Sequence, residues 1–180
     1  MRYPIDLVVR YLQHAHHVFL NHKLPYMASL VENLTVETIG NAAIIRDLQT
    51  FFPLFIDEFI EHIHEEEDTF FKYILLLHQA SHGKFKQGEL YQAMEKNPVH
   101  FFALEHHIHD DEMRGIREIT NDYTLDAKAT LHLVVLYEEF KSFERDLKLH
   151  ARIEDCVLLP KAIRLEKLVK AMLHPKVKLN

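Results

Sequence analysis

Two pairs of metal-binding side chains occur in this sequence with the same four-residue spacing. In each pair a histidine precedes a glutamate: His62 with Glu66, and His150 with Glu154. Residues four apart on an α-helix lie one turn apart on the same face, so both side chains of a pair can reach one ion. Neutral imidazole nitrogen and ionised carboxylate oxygen both coordinate cations. The spacing therefore predicts two halves of a metal site.

Both pairs interrupt rows of apolar residues that would otherwise form the buried faces of helices. The two rows are Leu48, Phe52, Phe55, Phe59, His62, Glu66, Phe70, Tyr73, Leu77 and Leu133, Leu136, Phe140, Phe143, Leu147, His150, Glu154, Val157. Carboxylates and imidazoles left unpaired in a core cost several kcal/mol each, and a bound cation removes that cost. A single buried histidine is more often a hydrogen-bonded core residue, so a purely structural helical bundle is the alternative.

The other two long helical segments each offer a histidine. The third segment has His106 on its apolar face, and the first has His14, His16 and His17, of which periodicity does not separate the last two. Taken at 17, 62, 106 and 150, the histidines recur at intervals of 45, 44 and 44 residues. This recurrence is expected if four helices contribute to one site inside a bundle.

The number and type of these ligands indicate two metal ions. Four histidines and two glutamates exceed what a tetrahedral structural zinc uses, and the chain has one cysteine. Two ions bridged by the carboxylates fit better. Nitrogen and oxygen ligands suit iron, manganese or zinc, and the histidine-rich set with carboxylate bridges favours iron.

The elements that must position these residues are four long helical segments with polar connections. They are predicted at 5–32, 41–77, 98–120 and from about 129 to 160, with a short helix at 89–95 and an amphipathic segment ending near 173. We expect Pro53 to kink the second segment and Pro160 to bend or end the fourth. The prediction is an all-α fold: one domain, 1–180, forming an antiparallel up-down-up-down four-helix bundle with a short C-terminal helical extension.

Composition and charge argue against several classes of function. The net charge of -6 argues against nucleic acid as a partner, and the apolar runs are too short for a signal peptide or a membrane span. We therefore expect a cytoplasmic protein, with Cys156 as a packing residue. No Gly-rich phosphate loop or nucleophile elbow is present, so any catalysis would be metal chemistry.

Four stretches of the sequence resemble the hemerythrin-like, cation-binding HHE family. They are "HHVFLNHKLP" (16–25), "HIHEEEDTFF" (62–71), "PVHFFALEHH" (98–107) and "HARIEDCVLLP" (150–160). The resemblance is closest to the di-iron proteins associated with iron-sulfur cluster repair. In the first stretch the histidine eight residues before the proline favours His17 over His16.

The resemblance implies roles for six residues. The implied ligands of two irons are His17, His62, Glu66, His106, His150 and Glu154, with the glutamates as bridges. It also implies an oxygen species between the irons and an open position for O2 or nitric oxide.

Two departures from related proteins and one shared aspartate shape these expectations. Oxygen-carrying hemerythrins have a histidine where this chain has Asp110, which argues against a carrier. They also use an aspartate at the position of Asp155, the rival of Glu154, which we prefer because it lies on the apolar face. Many repair proteins begin with a small cysteine-containing domain, and this sequence starts at the bundle, so we expect a narrower activity than theirs.

These observations predict a non-haem di-iron protein of the oxidative or nitrosative stress response. It would repair iron-sulfur centres or supply iron, with iron-sulfur proteins as partners. The alternative is a module that binds or senses oxygen or nitric oxide without turnover. The sequence leaves open whether the protein is an enzyme and whether it forms oligomers.

Overall fold

The computed structural model describes residues 3–39, 41–96, 98–100, 102 and 111–173. Every regular element in these ranges is helical, and no strand occurs among the described residues. The all-α prediction is therefore confirmed. None of the described helices is long and apolar enough to cross a membrane.

The described chain contains α-helices and three π-helical segments. The α-helices are α1 (Ile5–Val18), α2 (Leu24–Glu32), α3 (Val36–Ile39), α4 (Ala42–Glu65), α5 (Lys72–Ser81), α6 (Gln87–Lys96), α7 (Arg114–Thr120), α8 (Leu131–Ile153) and α9 (Leu159–Leu173). The π segments Phe19–Lys23, Glu66–Phe71 and Glu154–Leu158 connect α1 to α2, α4 to α5 and α8 to α9 with no break in the helix.

These connections confirm the long predicted segments. Pro53 lies inside α4, in agreement with a helix that continues through it, and the predicted kink there stays a prediction. Pro160 lies near the start of α9, so it does not end the helix. The predicted third segment is described only in part. Residues 99, 100 and 102 are helical, a turn occupies 111–113, and α7 follows.

Local signals explain where several helices begin and end. Asn41 caps α4, because its side-chain Oδ1 accepts a hydrogen bond from the backbone N–H of Ala43 at 3.0 Å. The chain leaves α5 through Gly83, whose φ of 76° suits a residue without a Cβ. After α7 the chain turns through three consecutive left-handed residues, 121–123.

The described structure divides into two compact units. The first unit comprises Met1–Gln13, His64–Asp110 and Ala151–Asn180. Its core is mainly aliphatic. The side chains fully buried there include Leu12, Ile74, Leu77, Leu90, Leu158 and Ala162.

A buried carboxylate is bound inside the first unit. Glu166 accepts hydrogen bonds from the Tyr73 hydroxyl at 2.6 Å and from the backbone N–H of Val99 at 3.3 Å, and Lys170 lies 3.1 Å from its other oxygen. Burial raises the pKa of the Tyr73 phenol, and the neighbouring Glu166 raises it further. The phenol is therefore the proton donor of this pair.

The second unit comprises His14–Ile63 and Asp111–His150. Its core is rich in phenylalanine, with neighbouring ring centroids 5.4 to 6.4 Å apart. These rings belong to Phe19, Phe52, Phe55, Phe59, Phe140 and Phe143. Offset and edge-on contacts of this kind stabilise aromatic clusters beyond the burial of their area.

A second buried carboxylate anchors the turn after α7. Glu144 accepts hydrogen bonds from Arg117 at 2.8 Å, Lys148 at 2.6 Å and the Tyr123 hydroxyl at 2.9 Å. Burial alone would raise the pKa of Glu144, yet these three donors together hold the pKa below its ordinary value. The bond from Tyr123 fixes the left-handed turn from inside the core.

Candidate metal centre

Four side chains with metal-binding atoms converge in the structure. One ligand atom from each lies within 4.8 Å of every other, and they come from His16, Glu66, His150 and Glu154. Three of the four were predicted as ligands from the sequence. Among the described residues this is the group of three or more such side chains that could hold a metal ion.

The two histidines of the group face each other through their Nε2 atoms. The Nε2 of His16 lies 3.0 Å from the Nε2 of His150, and the ring centroids are 4.7 Å apart. Two nitrogens that each bind one ion at about 2.1 Å and at a right angle are about 3.0 Å apart. The observed distance therefore fits two ligands of one metal, as well as two rings that share a proton.

The two glutamates contribute buried anionic groups. Glu154 is 1% exposed and Glu66 is 7% exposed, and each has a carboxylate oxygen closed off from solvent. An ionised carboxylate in an apolar interior is costly unless a positive charge compensates it. Two such groups beside two imidazoles form a donor set that suits iron, manganese or zinc.

Local helix geometry is unusual at two of these residues and close to a third. Glu66 and Glu154 are the first residues of two π segments, and His16 lies three residues before the third. A π turn bonds each N–H to the carbonyl five residues back, and such turns are rare and occur frequently at functional sites. The coincidence of three π segments with the ligand group supports a functional role for the group.

An apolar ring borders the histidines. The Phe19 side chain is buried, and its ring meets that of His150 edge-on at a centroid distance of 5.7 Å. Phe19 also packs against Phe59 and Phe143. These contacts hold His150 in place and limit the access of water to its ring, which strengthens electrostatic interactions.

The structure does not bring His17 into the group. Its side chain is exposed, and its Nδ1 lies 3.1 Å from the side-chain amide nitrogen of Asn21. His16, by contrast, is only 2% exposed. The two residues are consecutive, so their side chains point about 100° apart around the helix, and only one of them can face the interior.

His62 lies in a different environment from the four grouped residues. It is half-buried, and its Nε2 is 3.8 Å from a carboxylate oxygen of Glu112. The neighbouring Ile63 is fully buried, at 1% exposure. Glu112 was not predicted, because no spacing signal marks it in the sequence.

The structure describes some of the remaining predicted residues and leaves two of them out. His106 and Asp110 lie outside the described residues. Glu154 joins the group of four, whereas its rival Asp155 does not, although one oxygen of Asp155 is buried. Cys156 is exposed, so it is not the packing residue that we expected. The assignment of these residues as ligands stays a prediction.

The sequence contains a spacing pattern that favours His16. Leu12 is fully buried, and His16 and Phe19 follow it at spacings of four and three on the same face. Counting forward from Leu12 favours His16. The first π segment, Phe19–Lys23, follows His16, so counting back across it from later residues is less reliable.

Comparisons with known proteins give one distant similarity. The chain is 24% identical over 166 residues to the iron-sulfur cluster repair protein ScdA from two strains of Staphylococcus epidermidis. The matched region covers 87% of this chain and 66% of each relative, slightly less than two thirds of their length. No family model matches the sequence.

Proposed function

We propose that this protein is a non-haem di-iron protein. The observation that carries the proposal is the convergence of two imidazoles and two buried carboxylates within 4.8 Å. The similarity to ScdA, a protein named for iron-sulfur cluster repair, supports iron as the metal. Manganese and zinc are the competing metals for the same donor atoms.

The proposed ligands modify the sequence prediction at one position. His16 replaces His17, and the full set is His16, His62, Glu66, His106, His150 and Glu154. In this proposal the histidines would bind as neutral rings, and the two glutamates would hold both ions and offset their charge. Glu112, close to His62, would accept a proton from the ring or orient it.

The proposed fold is a single hemerythrin-like domain, an antiparallel up-down-up-down four-helix bundle. The three long helical runs with π segments and the described parts of the 98–120 segment support this proposal. A bundle of this kind places ligands from several helices in one interior site.

We propose a cytoplasmic role in the oxidative or nitrosative stress response, through repair of iron-sulfur centres or supply of iron to them. When bound, iron would supply redox chemistry and affinity for small molecules such as O2 or nitric oxide. The side chains of the chain would hold the ions, and Phe19 would limit access of water beside His150. Iron-sulfur proteins are the proposed partners.

A sensing module is the second candidate. The matched region covers 66% of the repair protein, so the activity of the whole relative need not reside in it. A sensor would bind oxygen or nitric oxide reversibly and give no repair. Reversible spectral changes on gas exchange, without restoration of a damaged cluster, would favour this function.

The test is metal analysis of the full chain followed by a repair assay. Protein loaded with ferrous iron should retain about two irons per chain after desalting, because each ion needs several ligands of this set. It should also restore activity to an enzyme with a damaged iron-sulfur cluster. The matched control is the Glu66→Ala, Glu154→Ala double variant.

Two results would contradict the proposal. Retention of zinc alone from a mixture of metals would argue against iron. Equal iron content in the wild type and the double variant would show that the ion binds elsewhere.

A further inference from the structure

The C-terminus of α5 has a second group of metal-binding atoms, separate from the candidate centre. His78 and His82 are four residues apart, and their ring centroids are 4.7 Å apart at an interplanar angle of 72°. Two histidines at this spacing on one helix face can bind the same ion. His78 follows Glu66 by twelve residues, which corresponds to roughly 18 Å along a helix.

A hydrogen bond fixes the tautomer of His82. Its Nδ1 lies 2.8 Å from the backbone carbonyl oxygen of His78. A carbonyl oxygen only accepts hydrogen bonds, so Nδ1 must carry the proton, and in the neutral ring Nε2 then has the free lone pair. Histidine ligands of metals usually donate their other ring N–H to a carbonyl or carboxylate in this way. The ring of His82 is therefore already oriented as a ligand.

The position of the pair at a helix end favours a cation. α5 ends at Ser81, and His82 is the residue that directly follows it. The last carbonyl groups of a helix carry partial negative charge, which attracts cations near the C-terminus. The Ser81 hydroxyl donates a hydrogen bond to the same carbonyl of His78, at 2.7 Å, and so stiffens the turn that holds both rings.

A carboxylate of the same unit interacts electrostatically with His78. This is Asp6 on α1, which is paired with Arg10 at 2.6 Å; its pKa is held below the usual value by the hydrogen bond from Arg10 and, to a smaller extent, by His78. Among the described residues, no hydrogen-bond partner occupies the ring nitrogens of His78. Its ring is therefore able to turn towards an ion that His82 binds.

We propose that His78 and His82 form a binding site for a divalent transition-metal ion. With two imidazole nitrogens and exchangeable water as ligands, the site should prefer Cu2+ over Ni2+ and Zn2+, because nitrogen ligands follow that order of affinity. The site is open to solvent and does not depend on the di-iron proposal. It would bind an ion at the surface of the first unit.

The test is a Cu2+ titration of the metal-free full chain, with bound copper counted after buffer exchange. His78→Ala and His82→Ala should each bind one equivalent fewer than the wild type. The double variant should lose the same single equivalent, because either change removes the chelate. The control His14→Ala, also an exposed histidine of a helix, should bind as many equivalents as the wild type.

A second measurement identifies the residues directly. Cu2+ at about a tenth of an equivalent should broaden the ring proton signals of His78 and His82 together, with assignments taken from the two variants. Helical circular dichroism of each variant, equal to that of the wild type, shows that folding is unaffected. Equal copper counts in all variants, or broadening of only one of the two rings, would overturn the proposal.

Discussion

His16 and His17 are neighbours in the sequence with opposite environments. His16 is buried and faces His150 at 3.0 Å, whereas His17 is exposed beside Asn21. A ligand must reach the interior group, so the two histidines make a matched pair for testing which one binds metal. Both have the same chemistry and nearly the same place in the chain.

We predict that His16→Ala weakens iron binding by at least about tenfold, since loss of groups that merely support ligands already costs about 10–100-fold. His17→Ala should change the affinity by less than about twofold. Competition with a colorimetric chelator measures both values. If His17→Ala weakens iron binding more than His16→Ala does, the ligand is His17, which the family resemblance favoured.

At the residue scale, the sequence predicted which types of residue form the group better than it predicted which of two neighbouring side chains faces the interior. Glu66, His150 and Glu154 follow from their spacing within apolar rows, and the structure groups all three. The choice between His16 and His17 depends on a rotation of about 100°, which an error of one residue in register reverses. Glu112 was missed because its proximity to His62 depends on packing between helices and not on any pattern within one of them.

Helix geometry explains why the most buried residue lies next to a predicted one at two places in the rows. The rows included His62 and Val157, which are partly buried, whereas their neighbours Ile63 and Leu158 are 1% and 0% exposed. Both places lie inside or close to a π segment. Strict spacing by three and four assumes an uninterrupted α-helix, and a π turn adds a residue to one turn of it. Single-sequence periodicity carries no signal for such turns.

We predict that metal binding stabilises the π segments selectively. Glu66 and Glu154 each begin one, so an ion bound to them should reduce local opening there. Hydrogen exchange followed by mass spectrometry should show slower exchange in peptides covering Glu66–Phe71 and Glu154–Leu158 after iron loading. Peptides from the first half of α4, which contains none of the grouped residues, are the internal control. Uniform slowing along the chain would show that the effect is global.

At the scale of the whole molecule, helical content and long-helix boundaries followed from the sequence. The runs at 5–32 and 42–81 match the predicted segments closely, and the short helix α6 appears where expected. The division into two compact units was not predicted. Periodicity identifies which face of a helix is buried, but not how the buried residues group into separate cores.

We predict that iron raises the thermal stability of the protein. A ligand present at about 100 times its dissociation constant contributes about 2.7 kcal/mol to folding when it binds only the native state. For a chain of 180 residues this corresponds to a rise in Tm of roughly 5–10 °C. Thermal melts with ferrous iron and with excess chelator, both without oxygen, measure the shift.

The Glu66→Ala, Glu154→Ala variant provides the comparison for these melts. Its Tm should not respond to iron, because two of the proposed ligands are gone. If the wild type also shows no shift with iron or chelator, the grouped histidines and glutamates are a hydrogen-bonded structural core. The structural helical bundle would then be the better description.

The exposed Cys156 makes this protein convenient for spectroscopic labelling. It is the single cysteine of the chain, and it lies in the π segment two residues after Glu154. A maleimide fluorophore or a nitroxide would therefore attach at one defined position without any engineered substitution. Quenching of the fluorophore, or faster relaxation of the nitroxide, would report the arrival of a paramagnetic ion at Glu154 in real time.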